Sequence, residues 1–255
     1  MGRVDLHSHL IPGVDDGVKT LEQSLAAIEG LVERGYDRIL TTPHQVDRWR
    51  PTPDELLPWL HRIQEETAKR GWPVAVGLGA ENFLDEEFLR RSRCGELITY
   101  AMAGRAVLFE CSPFSPPPFL ESLVFSLRAG GITPVMAHPE RYPWLLGGRD
   151  RVAPLRNAGC LFQIDVGSFA GRYGRDARRA ARKLVSMDAV DLIASDLHHP
   201  DKLRPTVDDG WKALQDLASE DDVIRWSVTT PGRIFEEAVE GPWGPRAVTP
   251  PPEVS

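Results

Sequence analysis

Histidine and carboxylate residues recur at the ends of apolar segments spread over most of the chain. His7 and His9 follow the first of these segments, and residues at i and i+2 of an extended strand point to the same side. Asp196 and His198 repeat this spacing near the other end of the chain. Each pair could approach one metal ion. Either pair alone is a weak signal, because two such residues more often serve as ordinary polar side chains.

Nine residues of ligand type share this placement, and five of them are histidines. They are His7, His9, Asp16, His44, Glu81, Glu110, His138, Asp196 and His198. Packing does not explain nine such residues at strand ends, so the joint pattern predicts a metal site. None of the nine is a cysteine, which argues against a closed zinc-thiolate site, and mixed imidazole and carboxylate ligation suits Mn, Fe or Zn. Because nine ligands are too many for one ion, we expect two or three divalent ions that share a carboxylate.

The charge of such a cluster indicates the kind of substrate it would attract. The four carboxylates would contribute four negative charges, and three divalent ions would contribute six positive charges. The excess positive charge would attract an anion such as a phosphate monoester. Bound ions also lower the pKa of water and supply hydroxide as a nucleophile near neutral pH. The residue types therefore favour metal-assisted hydrolysis of a phosphate ester.

Short β-like segments alternate with amphipathic helical segments along the chain. The seven predicted strands cover residues 4–9, 38–42, 74–80, 106–110, 133–137, 161–165 and 192–195. Helices are predicted between them, for example after Thr20, which has capping-box spacing to Gln23, and after Thr52, which precedes Pro53. This alternation predicts an α/β fold, and seven units fit a (β/α)7 barrel better than a short open sheet. In such a barrel the carboxyl ends of all strands open on one face, which would bring the nine residues together.

The composition is that of an ordinary globular chain. The 255 residues are 42 % apolar and 26 % charged, which predicts a single domain over residues 1–240 and a Pro-rich, mobile tail over residues 241–255. A net charge of −7 argues against a protein that coats nucleic acid. Three cysteines without a CxxC pair indicate reduced thiols. With no signal-peptide pattern and no apolar segment of about 20 residues, we expect a cytoplasmic protein without membrane insertion.

The segments that carry these residues resemble the polymerase and histidinol phosphatase (PHP) superfamily. His7-Ser8-His9, followed by Pro12-Gly13-Val14-Asp15-Asp16-Gly17, is similar to the opening motif of one branch, the manganese-dependent tyrosine-protein phosphatases of bacterial capsular and exopolysaccharide synthesis. The later motifs of that branch have similar counterparts here, in the same order. They are Thr42-Pro43-His44, Gly79-Ala80-Glu81, Phe109-Glu110, Ala137-His138-Pro139-Glu140-Arg141-Tyr142 and Ala194-Ser195-Asp196-Leu197-His198.

The resemblance implies a distorted (β/α)7 TIM-like barrel with a three-metal cluster. The implied ligand sets are His7, His9, Glu81 and Asp196 for one ion, Glu81, Glu110 and His138 for a second, and Asp16, His44 and His198 for the third. Arg141 and Arg204 would bind phosphate, although the arginine after the DxH motif is shifted by one residue at Arg204. Asp15 and Asp16 point to different sides of an extended backbone, and the motif selects Asp16, which leaves Asp15 for a supporting or turn role. His199 should face away from the site.

The resemblance also implies a function. The chain would be a metal-dependent phosphomonoesterase in which a metal-bridging hydroxide attacks the phosphorus of protein phosphotyrosine, with manganese as the first choice of metal. Its partner would be a phosphotyrosine protein such as a bacterial tyrosine kinase, in the regulation of capsular or exopolysaccharide synthesis. Two alternatives remain open. The same cluster could cleave a small phosphomonoester such as histidinol phosphate, or a phosphodiester, or the chain could be a non-catalytic module that binds a phosphoprotein.

Overall fold

The computed structural model describes residues 1–245 and shows an α/β structure in which every pair of strands is parallel. The strands are β1 (Arg3–Asp5), β2 (Tyr36–Thr41), β3 (His44–Gln45), β4 (Ala75–Leu78), β5 (Glu81–Phe83), β6 (Ala106–Glu110), β7 (Thr133–Ala137), β8 (Leu161–Asp165) and β9 (Leu192–Ala194). They form one sheet in the order β1-β2-β4 and a second sheet in the order β3-β5-β6-β7-β8-β9. The predicted α/β class with parallel strands is confirmed.

Helices connect most of these strands. They are α1 (Leu21–Glu33), α2 (Pro53–Lys69), α3 (Glu86–Cys94), α4 (Leu120–Ala129), α5 (Arg149–Asn157), α6 (Val166–Ala170), α7 (Arg175–Ser186), α8 (Asp209–Leu214), α9 (Glu220–Ile224) and α10 (Thr230–Val239). The first two begin where the sequence predicts. The Thr20 side chain accepts a hydrogen bond from the N–H of Gln23, and Thr52 forms a capping box with Glu55. These bonds satisfy amide groups that a helix N-terminus leaves without a partner.

The predicted barrel is not found as a closed sheet among residues 1–245, because the strands fall into two separate sheets. One cause is local. Pro43 follows β2 and has no amide N–H to donate, so it interrupts the ladder before the chain pairs again as β3. The neighbouring strand is interrupted at the same level, at Gly79 and Ala80 between β4 and β5. The predicted strands 38–42 and 74–80 are therefore each followed by a second, shorter strand.

Single backbone hydrogen bonds connect the two sheets beyond the ends of their strands. The N–H of His9 donates to the carbonyl oxygen of Leu197 at 2.9 Å, which links the segment after β1 to the segment after β9. On the other side, the N–H of Thr42 donates to the carbonyl oxygen of Ser8 at 2.7 Å. The segment 7–9 thus lies between the ends of β2 and β9, and its two imidazoles are fixed at the centre of the strand ends.

Two strands of the larger sheet, β7 and β8, are deeply buried. Val135 and Met136 of β7, and Phe162 and Ile164 of β8, are fully inaccessible to solvent. Continuous apolar segments of this kind are typical of parallel sheets covered by helices. A polar side chain in this environment costs free energy unless it has a partner. Buried histidines and carboxylates at the strand ends therefore need partners from one another or from a bound cation.

Packing continues beyond the predicted domain boundary at residue 240. Trp243 is buried, and its carbonyl oxygen accepts a hydrogen bond from the N–H of Leu78 at the end of β4. The rest of the predicted tail, residues 246–255, lies outside the described residues. None of the described helices is both long enough and apolar enough to span a membrane.

Candidate metal centre

All nine predicted ligand residues meet at the carboxyl ends of the strands. Each has a ring nitrogen or carboxylate oxygen within 3.5 Å of such an atom on another member, as the closest contacts of the nine show. The innermost group contains the two imidazoles of the segment after β1. The Nε2 atoms of His7 and His9 are 3.3 Å apart, and each lies 3.3 or 3.4 Å from Glu81 Oε2. Asp196 Oδ1 lies 3.4 Å from both nitrogens.

Buried hydrogen bonds orient these two imidazoles. The Nδ1 atom of His7 contacts Gln163 Oε1 at 2.7 Å, and the Nδ1 atom of His9 contacts Asp15 Oδ2 at 2.8 Å. Because these oxygens accept, Nδ1 of each ring donates, and in the neutral ring the Nε2 lone pair faces the centre. This arrangement is typical of metal-binding histidines, whose second nitrogen is held by an acceptor. Asp15 is buried behind His9, so it occupies a supporting position.

The carboxylate of Glu81 joins the innermost group to a second one. Glu81 Oε1 lies 2.8 Å from His138 Nε2, and Glu81 Oε2 lies 2.9 Å from His44 Nδ1. Glu110 completes this group, at 3.5 Å from His44 Nδ1 and 3.8 Å from His138 Nε2. The potential ligand atoms of His44, Glu81 and Glu110 all lie within 4.8 Å of one another. Glu81 is therefore placed to be shared between neighbouring ions.

The third group lies nearest to solvent. Asp16 Oδ1 lies 3.3 Å from His44 Nε2 and 3.4 Å from His198 Nε2. His9 stacks on His198 with a ring-centre separation of 4.0 Å, and these four residues also hold potential ligand atoms within 4.8 Å of one another. Asp16, unlike Asp15, points into the cluster. The structure therefore gathers the three implied ligand sets, with His9 and His44 each lying between two of them.

The chemistry of the nine donors fits divalent cations. Glu81 Oε2, His44 Nδ1 and His138 Nδ1 are buried and have no hydrogen-bond partner of good geometry within residues 1–245, although the first two atoms lie 2.9 Å apart. Burial lowers the pKa of His7, but the carboxylates of Glu81 and Asp196 outweigh it and raise that pKa to about 9. Burial likewise raises the pKa of Glu81, but His7 and His44 lower it well below its ordinary value. The buried carboxylates are thus stabilised by positive charge placed between them and the imidazoles. Divalent ions would supply that charge.

Two of the nine residues have unusual backbone conformations. His138, after β7, has φ = 36°, and Asp196, after β9, has φ = 49°. Positive φ is uncommon for residues other than glycine and costs roughly 1–3 kcal/mol where tertiary structure imposes it. Here it turns each side chain back toward the strand ends. Backbone strain of this kind concentrates at functional sites, and at these two positions it directs a donor into the cluster.

Arg141 is the predicted phosphate-binding residue that the structure places beside this cluster. Its Nη2 contacts the carboxylates of Asp165 and Asp196, and its guanidinium carbon lies 3.6 Å from the ring centre of Tyr173. The hydroxyl of Tyr173 donates to Asp196 Oδ2 at 3.2 Å. The guanidinium is thus fixed by two carboxylates and an aromatic face, while 27 % of the Arg141 side chain remains exposed.

The other two predicted residues lie farther out. Arg204 is exposed in the helical turn Leu203–Asp208, and within residues 1–245 no hydrogen bond or ion pair of its guanidinium is found. His199 turns away from the cluster, as its alternation with His198 predicts. Its Nδ1 accepts the N–H of Asp201 and lies 3.2 Å from the Asp201 carboxylate. Neither side chain contacts a member of the nine.

Buried polar residues that were not predicted from the sequence support the cluster. Gln163 and Asp165 occupy alternate positions in β8, and Gln163 Nε2 donates to Asp165 Oδ1 at 2.9 Å. Together they connect Nδ1 of His7 to the guanidinium of Arg141. The signal was present, because two polar residues at i and i+2 interrupt an otherwise apolar segment. Asp5 in β1 is similar: it is buried and accepts hydrogen bonds from the N–H and the hydroxyl of Ser195.

Replacing Asp165 with Asn should reduce kcat for phosphate ester hydrolysis roughly 10- to 100-fold, the range found for residues that orient a functional side chain from behind. The substitution removes one of the two carboxylates that fix Arg141, while the nine donor side chains remain. Steady-state kinetics and metal analysis would check this result. We expect the metal content to stay close to that of the unsubstituted protein.

Asp191→Asn is a matched control for this substitution. Asp191 is also paired with an arginine, since Arg156 Nη1 donates to it at 2.8 Å, and it also accepts the N–H of Phe162 at 2.8 Å. This pair lies before β9, away from the cluster. Its loss should lower the melting temperature but leave kcat unchanged. Equal kcat losses in the two variants would show that Asp165 acts only through stability.

Comparison with known proteins identifies the family. Residues 3–236 match the family model described as capsular polysaccharide synthesis, CpsB/CapC. The chain belongs to this family. Tyrosine-protein phosphatase CpsB of Streptococcus agalactiae serotype V is 29 % identical to this family member over 218 residues, which are 83 % of this chain and 89 % of the relative. Tyrosine-protein phosphatase CpsB of Streptococcus pneumoniae is 30 % identical over 208 residues, 79 % and 85 % of the two chains.

Solved structures that resemble this family member show the same fold. A crystal structure from work on YwqE from Bacillus subtilis and CpsB from Streptococcus pneumoniae, described as unique metal-dependent tyrosine phosphatases, has a TM-score of 0.76 at 24 % identity and covers 92 % of each chain. Histidinol phosphate phosphatase from Lactococcus lactis has a TM-score of 0.53 at 9 % identity, over 85 % of this chain and 94 % of that one. At these identities the likeness concerns the fold. The resemblance noted from the motifs is confirmed by the family match.

Proposed function

We propose that this family member is a metal-dependent phosphatase that removes phosphate from protein phosphotyrosine and acts in capsular or exopolysaccharide synthesis. The observation that carries the proposal is the convergence of nine imidazole and carboxylate side chains in three overlapping groups around Glu81. The names of its relatives support the substrate class, since they are tyrosine-protein phosphatases of the same family.

The three groups would hold two or three divalent ions. His7, His9, Glu81 and Asp196 would bind one ion, Glu81, Glu110 and His138 a second, and Asp16, His44 and His198 a third. Manganese is the first choice, and iron and zinc suit the same imidazole and carboxylate donors. Such ions, when bound, provide Lewis-acid chemistry: they lower the pKa of water and neutralise the charge of a phosphoryl group.

Arg141 would bind the phosphoryl oxygens. Its guanidinium needs little reorganisation, because Asp165, Asp196 and Tyr173 already hold it beside the cluster. A donor that is fixed before the reaction stabilises developing charge more effectively than one that must be ordered. Arg204, whose exposed side chain lies in the segment after His198, is the second candidate for a phosphoryl contact.

The leaving group explains why an aryl phosphate suits this site. The phenol of tyrosine has a pKa of about 10, so its phenolate leaves more readily than an aliphatic alkoxide. The histidines that contact the cluster are all among the predicted ligands, and His199, which follows His198, pairs with Asp201 instead. A substrate that needs no strong general acid therefore matches the groups that are present.

The substrate implies a partner and a location. Protein phosphotyrosine is made by a tyrosine kinase, so we infer a bacterial tyrosine kinase or its phosphorylated product as the partner. Because such a kinase consumes ATP, we place the reaction in the cytoplasm. This family member would then reverse the phosphorylation and so regulate capsular or exopolysaccharide synthesis.

A comparison of three substrates tests the proposed function. We expect the manganese-loaded protein to release phosphate from a phosphotyrosyl peptide with a kcat/KM at least about tenfold above those for histidinol phosphate and a bis-aryl phosphate. A preference for either of the latter would assign the site to a small phosphomonoester or to a phosphodiester. Tight binding of the peptide without phosphate release would instead indicate a non-catalytic binding module.

A further inference from the structure

A groove of about 630 Å³ lies beside the candidate metal centre, between residues 140–146 and residues 173–183 of the chain. We call it the α7 groove, because helix α7 forms most of one side. Pro143 and Leu146 line it from one side, and Ala177 and Ala180 line it from the helix. The small alanine side chains leave space along the helix, and the lining offers apolar contact to an extended peptide.

The α7 groove adjoins the metal centre through two of its lining residues. Arg141 and Tyr173 line its inner end, and both contact the carboxylate of Asp196. A phosphoryl group held by Arg141 would therefore lie at this inner end of the groove. The residues that flank the phosphotyrosine in a protein substrate could then extend along the groove, away from the metal centre.

The segment that forms one side of the groove is rich in basic residues. Residues 172–183 contain six arginine or lysine side chains and one acidic side chain, whereas the whole chain has 30 basic and 37 acidic residues. Arg179 and Lys183 line the groove itself, and the side chain of Arg179 is 83 % exposed. Lys183 Nζ donates to the carbonyl oxygen of Leu146 and has no carboxylate partner among the described ion pairs.

Two acidic residues also line the groove, and neither offsets this charge fully. Asp176 is 91 % exposed and pairs with Arg179 at 3.1 Å, so it neutralises one of the two cations. Glu140 is buried, and its Oε1 accepts hydrogen bonds from the Ser168 hydroxyl and the N–H of Asp165. Its carboxyl group is therefore engaged on the inner side. The exposed lining therefore keeps a net positive charge through Lys183.

We propose that the α7 groove binds the segment of the substrate protein that flanks the phosphotyrosine and that it selects acidic residues there. This inference rests on the proposed function. The apolar lining would cover the backbone and aliphatic parts of the segment, and the rim cations would attract its carboxylates. Charges at the rim of an interface mainly raise the association rate and discriminate between partners.

Kinetics on matched peptides test the proposal. Two phosphotyrosyl peptides would differ only in the flanking residues, which are Glu in one peptide and Gln in the other. We expect kcat/KM to be higher for the Glu peptide, and Arg179→Glu combined with Lys183→Glu to lower it roughly 5- to 10-fold through KM, as expected for exposed charge pairs. Hydrolysis of the Gln peptide and of p-nitrophenyl phosphate should stay within about twofold.

A second variant gives the opposite effect. Asp176→Asn removes the carboxylate that pairs with Arg179 and so frees Arg179 for the carboxylates of the peptide. It should raise kcat/KM for the Glu peptide roughly twofold, without affecting the Gln peptide. Because Asp176 is exposed, this variant remains informative if the double variant does not fold. The matched control reverses two exposed cations elsewhere, Arg93→Glu with Lys212→Glu, and should leave all three substrates unchanged.

The proposal and the proposed function fail in different ways. Equal kcat/KM values for the two peptides on an active enzyme, with no effect of Asp176→Asn, would overturn the groove proposal and leave the phosphatase intact. Loss of both peptides and of p-nitrophenyl phosphate activity in the unsubstituted protein would instead overturn the proposed function. Binding to vesicles containing phosphatidylserine that Arg179→Glu/Lys183→Glu abolishes, with unchanged peptide kinetics, would assign the basic face to a membrane surface and overturn the groove proposal.

Discussion

Replacing Glu81 with Gln should lower kcat/KM for a phosphotyrosyl peptide by roughly a thousandfold or more. Metal ions contribute several kcal/mol to stabilisation of transition-state charge, and each 1.4 kcal/mol corresponds to about tenfold in rate. Glu81 contacts His7, His9, His44 and His138, so one substitution removes the charge that the first two groups share and that also contacts His44 of the third. Steady-state kinetics and metal content per chain are the measurements, and both should fall together.

Glu29→Gln is the control for this change. Glu29 is exposed on α1 and lies outside the cluster, so the same change of side chain there should leave activity and metal content unaltered. The Gln side chain at position 81 has nearly the shape of Glu, and circular dichroism should show an unchanged fold. A Glu81→Gln variant with normal activity would contradict the assignment of this carboxylate to the metal centre.

Removing divalent ions with EDTA should abolish activity and lower the melting temperature by about 5–10 °C. A ligand present at 100 times its Kd stabilises the folded state by about 2.7 kcal/mol, which corresponds to shifts of this size in a protein of similar length. Addition of Mn²⁺ after removal of the chelator should restore both. Glu81 Oε2 and His44 Nδ1, which are buried and have no hydrogen-bond partner among residues 1–245, give the reason, since a bound ion would satisfy them.

The Glu81→Gln variant tests whether Mn²⁺ stabilises the protein by binding at the cluster or by binding elsewhere on the chain. In that variant Mn²⁺ should raise the melting temperature much less than in the unsubstituted protein, because one ion loses its shared ligand. Activity that survives complete removal of metal would point to another type of chemistry. Cysteine is a poor alternative here, because Cys111 is buried and burial raises the pKa of its thiol.

Much of the site could be predicted from the sequence because strand ends of a parallel sheet meet regardless of their separation along the chain. His7 and Asp196 are 189 residues apart in the sequence, yet Nε2 and Oδ1 lie 3.4 Å apart. The convergence of the nine side chains follows from their places after apolar segments. Their role as metal ligands, and that of Arg141 and Arg204 as phosphate ligands, stays a prediction.

Other features depend on tertiary structure that local patterns do not encode. The interruption at Pro43 divides the predicted sheet, because a residue without an N–H cannot donate a hydrogen bond to the neighbouring strand. The positive φ angles of His138 and Asp196 depend on packing around them rather than on residue type. The connection from His7 through Gln163 and Asp165 joins distant segments by side-chain geometry, and a single sequence gives no distances.

Anomalous X-ray scattering from crystals grown with Mn²⁺ tests the central claim most directly. We expect two or three strong peaks within the cluster, with Glu81 bound to more than one of them and His7, His9 and Asp196 around the innermost. Absence of peaks among these residues, with manganese bound elsewhere or not at all, would contradict it.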